Sequence, residues 1–297
     1  MLLTSRKSID NLGVRFRDRT EQIGDRELIQ DYRLFRSDDF IENFFSIREV
    51  LEGHHAVLGG RMKRTDTIIR KLRREHNMKL TFMDDICGYR IIVPSLKTQS
   101  IFLETIEKNF DVKNIRNYVE NPKESGYQGI HIICKVPKIM NNNDTPSTLT
   151  MEIQLRTHFQ HIWSTLSESM GEQIKIGEGS SEERIRLNLL SEEINKYEKN
   201  NPGFAQIDLP KSVSSMSLDV IHYDKSRGKR IISESFNEDL QEALAYYKWL
   251  ENEMSSNLNS EVVLLASTEN LNLDKSHTRY FRKGGKPAIP SIFKNRI

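Results

Sequence analysis

The stretch Thr150-Met-Glu-Ile-Gln-Leu-Arg-Thr157 decides how this chain folds. Met151, Ile153 and Leu155 alternate with Glu152, Gln154 and Arg156, the period of a strand that buries one face and aligns three polar groups on the other. A solvent-facing strand without a site has the same alternation, so the neighbouring segments carry the argument. Upstream stand Arg61-Met-Lys63, Met83-Asp-Asp85-Ile-Cys-Gly88-Tyr-Arg90 and Asn121-Pro-Lys-Glu-Ser-Gly-Tyr-Gln-Gly-Ile-His131. A basic loop, an acidic strand, a Gly-Tyr-Gln turn and a second acidic strand, in that order, describe a site for a metal and a phosphorylated nucleotide.

The 297 residues suffice for a full core, read as one main domain with appendages. Lys and Arg number 44 against 42 Asp and Glu, so no global field advertises a nucleic-acid or membrane partner. Cys87 and Cys134 both sit in apolar runs, as buried cytosolic thiols do. No apolar stretch approaches a membrane span and the N-terminus lacks a signal-peptide core, so a cytoplasmic protein is expected.

Residues 1–36 are polar, mixed in charge and without a firm period, and are read as an N-terminal extension. Phe40, Phe44, Ile47 and Leu51 then predict a helix after Ser37-Asp-Asp39, and Ile68 and Leu72 a second from about 65 to 75. Strands are predicted over 85–93, 112–119 and 128–136, with a helix over 97–110 whose Ile101, Phe102, Thr105 and Ile106 face inward. Asn141 to Pro146 read as a polar hairpin connection. Helices follow over 157–171, packed through Phe159, Ile162, Trp163, Leu166 and Met170 and showing His161, Thr165 and Glu168 on the other side, and over 181–200. The main domain thus spans 37–203. A C-terminal extension, 204–297, should hold a strand near 219–223, a helix over 235–256 and a strand over 261–266 before an acid-free basic tail. Interleaved strands and helices predict an α+β fold, a mixed β-sheet flanked by helices.

Asp85 and Glu152, on neighbouring strands, could share a divalent ion; Mg²⁺ takes oxygen ligands, often one or two protein carboxylates plus substrate phosphates. Asp84 rivals Asp85, and spacing does not separate them. Arg61, Lys63, Arg64, Arg70, Lys71, Arg73 and Arg74 crowd a loop and the helix behind it, with Arg73 and Arg74 read as solvated. Gly59-Gly60 would let backbone approach an anion near the following helix N-terminus. Tyr127, beside Gly126, could stack on a base with Gln128 or His131 at its edge, or simply pack on the sheet; His131 could equally be a core histidine.

Together these segments resemble the synthetase domain of the RelA/SpoT family of nucleotide pyrophosphokinases, over roughly residues 40 to 175. The matching pieces are Arg61-x-Lys63-x-x-x-Thr67-Ile68-x-x-Lys71, Asp85-Ile-x-Gly88-x-Arg90, Pro122-Lys123-x-x-Gly126-Tyr127-x-x-x-His131 and Glu152-Ile-Gln154-Leu-Arg156-Thr157 followed by Trp163 and Glu168. The resemblance implies a nucleotidyltransferase-like synthetase fold and transfer of the β,γ-pyrophosphate of ATP to a ribose 3′-hydroxyl, with GDP or GTP as acceptor. It implies Mg²⁺ on Asp85 and Glu152, with Glu152 also the base, and ATP phosphates on Arg61, Lys63, Lys71 and Arg90. Tyr127 would stack on the acceptor base, with Lys123, His131, Gln154, Arg156 and His161 around it. The chain departs from the family pattern at Thr67, Asn117, Gly129 and Met170, mostly on the acceptor side. Gln154-Leu-Arg-Thr-x-x-Gln160-His161-x-Trp163 looks closer to the toxin-like branch, which implies the tRNA 3′ end or an adenosine nucleotide as an alternative acceptor. An inactive nucleotide-binding module is the third alternative. The basic tail (Lys275, Arg279, Arg282, Lys283, Lys286) fits tRNA, since neutralising phosphates binds RNA without sequence preference. No His-Asp dipeptide occurs and the N-terminal extension is short, so synthesis without hydrolysis is expected. An antitoxin or a second copy of the chain stands open as a partner.

Overall fold

The computed structural model describes residues 5–136, 149–175, 181–209, 216–237, 239–254, 257, 259–268, 277–281 and 289–293. The elements are α1 (Arg6–Asp18), α2 (Asp25–Phe35), α3 (Ser37–Leu51), β1 (Val57–Met62), α4 (Thr65–Arg74), β2 (Cys87–Val93), α5 (Leu96–Asn109), β3 (Val112–Asn117), β4 (Ile130–Lys135) and β5 (Thr150–Thr157). They continue as α6 (His158–Lys175), α7 (Ser181–Asn200), β6 (Ser217–Asp224), β7 (Lys229–Ser235), α8 (Leu240–Glu253), β8 (Ser260–Ser267) and the one-turn α9 (Thr278–Phe281).

The eight strands form one sheet in the order β3-β4-β5-β2-β1-β8-β6-β7. Only β2 and β5 run parallel; every other pairing is antiparallel, so the sheet is mixed. Each face is assigned by strand alternation. Leu58, Met62, Tyr89, Ile91, Met151, Ile153, Leu155, Leu218, Val220 and Leu264 point to one side, into a continuous core with Phe40, Phe44 and Ile47 of α3 and Ile68 and Leu72 of α4. On the opposite side α6 and α7 pack through Phe159, Ile162, Trp163, Leu166, Leu190 and Ile194. Tyr280 of α9 covers Ile221, Tyr223, Val263 and Leu265 farther along the same face. Between these two covers lie the polar residues of β1, β2 and β5.

The predicted core of the main domain and its α+β class are observed, with Cys87 and Cys134 buried and free. Several expectations change. Residues 6–18 and 25–35 are helices whose narrow stripes, Leu12 with Phe16 and Ile29 with Tyr32, are buried among charged neighbours that obscured the period. Gly59-Gly60 lie inside β1, not in a loop. A Cβ on Gly60 would stand 3.0 Å from the Phe40 ring, so this glycine serves the packing of α3. Ile101 is exposed and Thr105 half-buried, leaving Phe102 and Ile106 as the inward pair of α5. His161 and Thr165 are buried rather than displayed.

The helix expected from 235 begins at Leu240, capped by Asp239, and residues 229–235 form the edge strand β7 instead. The C-terminal strands extend the sheet through β1–β8 pairing. The expected connection at 141–146, the side chains of Met170 and Arg279, and Lys275, Arg282, Lys283 and Lys286 lie outside what is described.

Candidate active site

The three central strands bring the sequence motifs into two cross-strand rows. Register places Arg61 of β1 opposite Gly88 of β2, and Gly88 beside Glu152 of β5. The next row on this face is Gly59, Arg90 and Gln154. Each row therefore sets a glycine beside a long charged or polar side chain. A Cβ on Gly88 would meet only the Arg61 carbonyl, at 3.8 Å, so the floor there is open. The result is a cleft of about 400 Å³, counting space that opens to solvent, lined by Gly59, Arg61, Lys63, Asp85, Gly88, Tyr89, Arg90, Glu152, Gln154 and His277.

The structure separates Asp85 from Asp84. Asp85 lies two residues before β2 and accepts from Lys63 Nζ at 2.6 Å and Lys71 Nζ at 3.0 Å. Burial alone would raise its pKa, but the two ammonium groups hold it down to about 2. Burial in turn lowers Lys63, against the pull of Asp85. Asp84 accepts from the Thr150 hydroxyl at 2.7 Å and does not line the cleft.

Glu152 is 8 % exposed. Its Oε1 lies 2.8 Å from His131 Nδ1, and its Oε2 accepts from the Gln154 amide at 3.0 Å. Burial and the charge of Asp85 raise its pKa, yet the hydrogen bonds and charge of His131 leave it net lowered. The network continues. His131 Nε2 lies 2.6 Å from the Tyr127 hydroxyl, which also accepts from Arg156 Nε at 3.2 Å. Arg156 donates further to Gln154 Oε1 at 2.7 Å and Ser164 Oγ at 2.8 Å. Burial, with Arg156 and Arg61 nearby, brings Arg90 down to about 9.

Beside the cleft the Tyr127 ring meets Tyr118, His131 and Trp163 edge-on, with the Arg156 guanidinium 5.2 Å and Lys123 Nζ 5.1 Å from its centroid. Gly129 has φ +140°, and a Cβ there would stand 3.1 Å from the Tyr127 hydroxyl. A side chain at this position would meet that hydroxyl. His161 is 2 % exposed on α6 and is not part of the cleft lining.

Arg61, Lys63, Asp85, Arg90, Glu152 and Gln154 therefore converge as expected, Lys71 joins through Asp85, and His131, Arg156, Tyr127 and Lys123 form the adjoining network. Sequence reading took Gly59 for a loop residue that lets backbone approach an anion and Gly88 for part of a motif, neither as cleft floor, and it missed His277 altogether. Ser276-His-Thr-Arg279 carries no motif. Among the described residues no helix is long and apolar enough to cross a membrane.

Residues 60–171 match the family model described as a region found in RelA / SpoT proteins. GTP pyrophosphokinase YjbM of Bacillus subtilis is 29 % identical over 136 residues, covering 44 % of this chain and 61 % of that protein. GTP pyrophosphokinase YwaC of the same species is 25 % identical over 146 residues, covering 44 % and 68 %. The chain thus spans about three-fifths to two-thirds of these relatives. The crystal structure of small alarmone synthetase 1 from Bacillus subtilis, bound to its product pppGpp, is 25 % identical with a TM-score of 0.45, covering 54 % of this chain and 84 % of that one. Residues 60–171, which carry every residue lining this cleft except Gly59 and His277, match the RelA/SpoT region and are similar to its synthetase domain.

Proposed function

We propose that this cleft transfers the β,γ-pyrophosphate of ATP to the 3′-hydroxyl of GDP or GTP. The observation that carries the reading is the row Arg61–Gly88–Glu152, which sets a cation and a carboxylate on either side of open floor. The hydroxyl oxygen attacks the β-phosphorus, the bond from that phosphorus to the α,β-bridging oxygen breaks, and AMP leaves with the oxygen. The hydroxyl proton passes to Glu152, whose other contacts, His131 and Gln154, hold it in place. Arg61, Lys63 and Arg90 neutralise the phosphates, with Lys71 close by on Asp85. Phosphoryl-type transfer asks for this positioning and charge neutralisation more than for covalent chemistry.

The donor set suits Mg²⁺. Asp85 and Glu152 supply hard oxygen donors, and among the described residues no group of three or more His, Cys, Asp or Glu forms an all-protein cage. Bound there, Mg²⁺ would draw charge from the phosphate oxygens. Tyr127, with Lys123 and Arg156, would take the acceptor's base beside the cleft.

The test incubates the protein with Mg²⁺ and β,γ-labelled ATP, adding GDP, GTP, ATP or deacylated tRNA in turn. Label on GDP or GTP is expected. Label on tRNA or ATP instead would overturn the acceptor and favour the toxin-like alternative; no transfer to any acceptor would leave a nucleotide-binding module.

A further inference from the structure

One wall of the cleft comes from outside the RelA/SpoT region. His277 lies far beyond residue 171, yet its side chain is 6 % exposed and lines the same cavity as Arg61, Arg90 and Glu152. The backbone that carries it is fastened directly downstream. Tyr280 of α9 is buried against Tyr223, with ring centroids 5.5 Å apart, and its hydroxyl donates to Glu261 of β8. Glu261 also pairs with Arg64 at 2.8 Å, and Arg64 adjoins Lys63. One buried carboxylate thus ties the segment holding His277 to the segment holding the cleft's cations. Farther along, Phe293 is fully buried, edge-on to Phe159 of α6 at 5.1 Å and to Tyr197 of α7 at 5.8 Å. His277 thus stands three residues before a buried anchor, Tyr280, rather than on a loose end resting in an opening.

We infer that His277 is a nucleotide-contacting residue, donating a hydrogen bond to the phosphate chain that Arg61 and Arg90 hold, and supplied to the synthetase cleft by the C-terminal extension. Burial, with Arg90 and Arg61 beside it, keeps the imidazole pKa far below its usual range. A neutral imidazole offers one N–H donor. It can meet a phosphate oxygen without adding a third positive charge beside the two guanidinium groups. The C-terminal extension then completes the triphosphate site, and affinity for the donor's phosphates is set partly by a residue outside the RelA/SpoT region. This rests on the reading of the cleft as an ATP site.

The test measures calorimetric binding of AMPCPP, an ATP analogue that cannot be cleaved between its α- and β-phosphates, and of GDP to the full chain with Mg²⁺. His277→Phe keeps bulk without a donor, His277→Gln keeps an N–H donor, and His277→Ala repeats the comparison at smaller volume. Loss of the donor is expected to weaken AMPCPP about tenfold while GDP changes less than about twofold, with Gln recovering most of the affinity. Equal AMPCPP affinity in all variants, tighter binding without the imidazole, or parallel loss of AMPCPP and GDP would each overturn the assignment. A wild-type chain that binds no AMPCPP would sink the ATP reading as well; wild-type binding that ignores His277 would sink this inference alone.

Discussion

Glu152 on β5 and Asp219 on β6 are both buried strand carboxylates, and register sets them in one cross-strand row: Glu152, Gly88, Arg61, Leu265, Asp219, Ser235. Their surroundings differ in two ways. Glu152 has an imidazole and an amide on its oxygens and a glycine beside it, whereas Asp219 accepts from the hydroxyls of Ser217 and Ser235 and has Leu265 beside it. Burial raises the pKa of Asp219, and its hydroxyl partners offset only part of that; Glu152 ends net lowered. Leucine and the cover of Tyr280 close one end of the row, while glycine opens the other. A buried acid on a sheet becomes a site where an imidazole and an amide on its oxygens favour the charged form and its neighbour leaves room for a ligand. With hydroxyl partners under an apolar cover it is part of the scaffold.

Glu152→Gln is the sharpest probe of the active end. It keeps shape and removes the base, so transfer should fall at least about 100-fold with melting temperature little changed. A near-wild-type rate would erase the distinction from Asp219. Next, Gly88→Val places a side chain on the open floor, with only the Arg61 carbonyl near its Cβ. The fold should persist while AMPCPP binding, measured by calorimetry, weakens roughly 30-fold, or about 2 kcal/mol. Unchanged affinity would mean that the nucleotide does not use that floor.

Acid stability probes Asp85, whose pKa of about 2 in the folded chain lies below its ordinary 3.8. The stability it contributes is fully present above pH 3.8 and is lost as pH falls through about 2. Denaturant titrations over that window should show a loss of about 2 kcal/mol in the wild type and a flatter limb in Asp85→Asn. Coincident limbs would mean that Lys63 and Lys71 do not hold the carboxylate. Gly129→Ser adds a side chain where φ is +140° and the Tyr127 hydroxyl is 3.1 Å from the new Cβ. Urea denaturation should record a loss of about 1.5 kcal/mol. The smallest effect is expected for Asp219→Asn: transfer within about twofold of wild type and stability within about 1 kcal/mol. A large loss of transfer there would break the contrast between the two ends of the row.

Much of the active end was legible before folding was considered. Period-two alternation placed Glu152, Gln154 and Arg156 on one face, and the order of the basic, acidic and Gly-Tyr-Gln segments brought the correct strands into question. Helical stripes were readable where they were strong, as in Phe40, Phe44, Ile47 and Leu51. They failed where charged residues surround a two-residue stripe, as in α1 and α2. β7 was hidden because an edge strand exposed on nearly every residue has no apolar period to read.

The amino-acid sequence alone determined the α+β class, the polar face of β5 and the chemical character of the site, because side-chain alternation and residue type are local properties. Tertiary structure alone decided that Asp85 and not Asp84 enters the cleft, since one is drawn to Lys63 and Lys71 and the other to Thr150. It also decided that Gly59 and Gly88 form a floor and that His277 closes a wall. Those outcomes depend on which strands lie side by side and on where a distant segment is fastened, and partners far apart in the chain leave no mark in the local pattern.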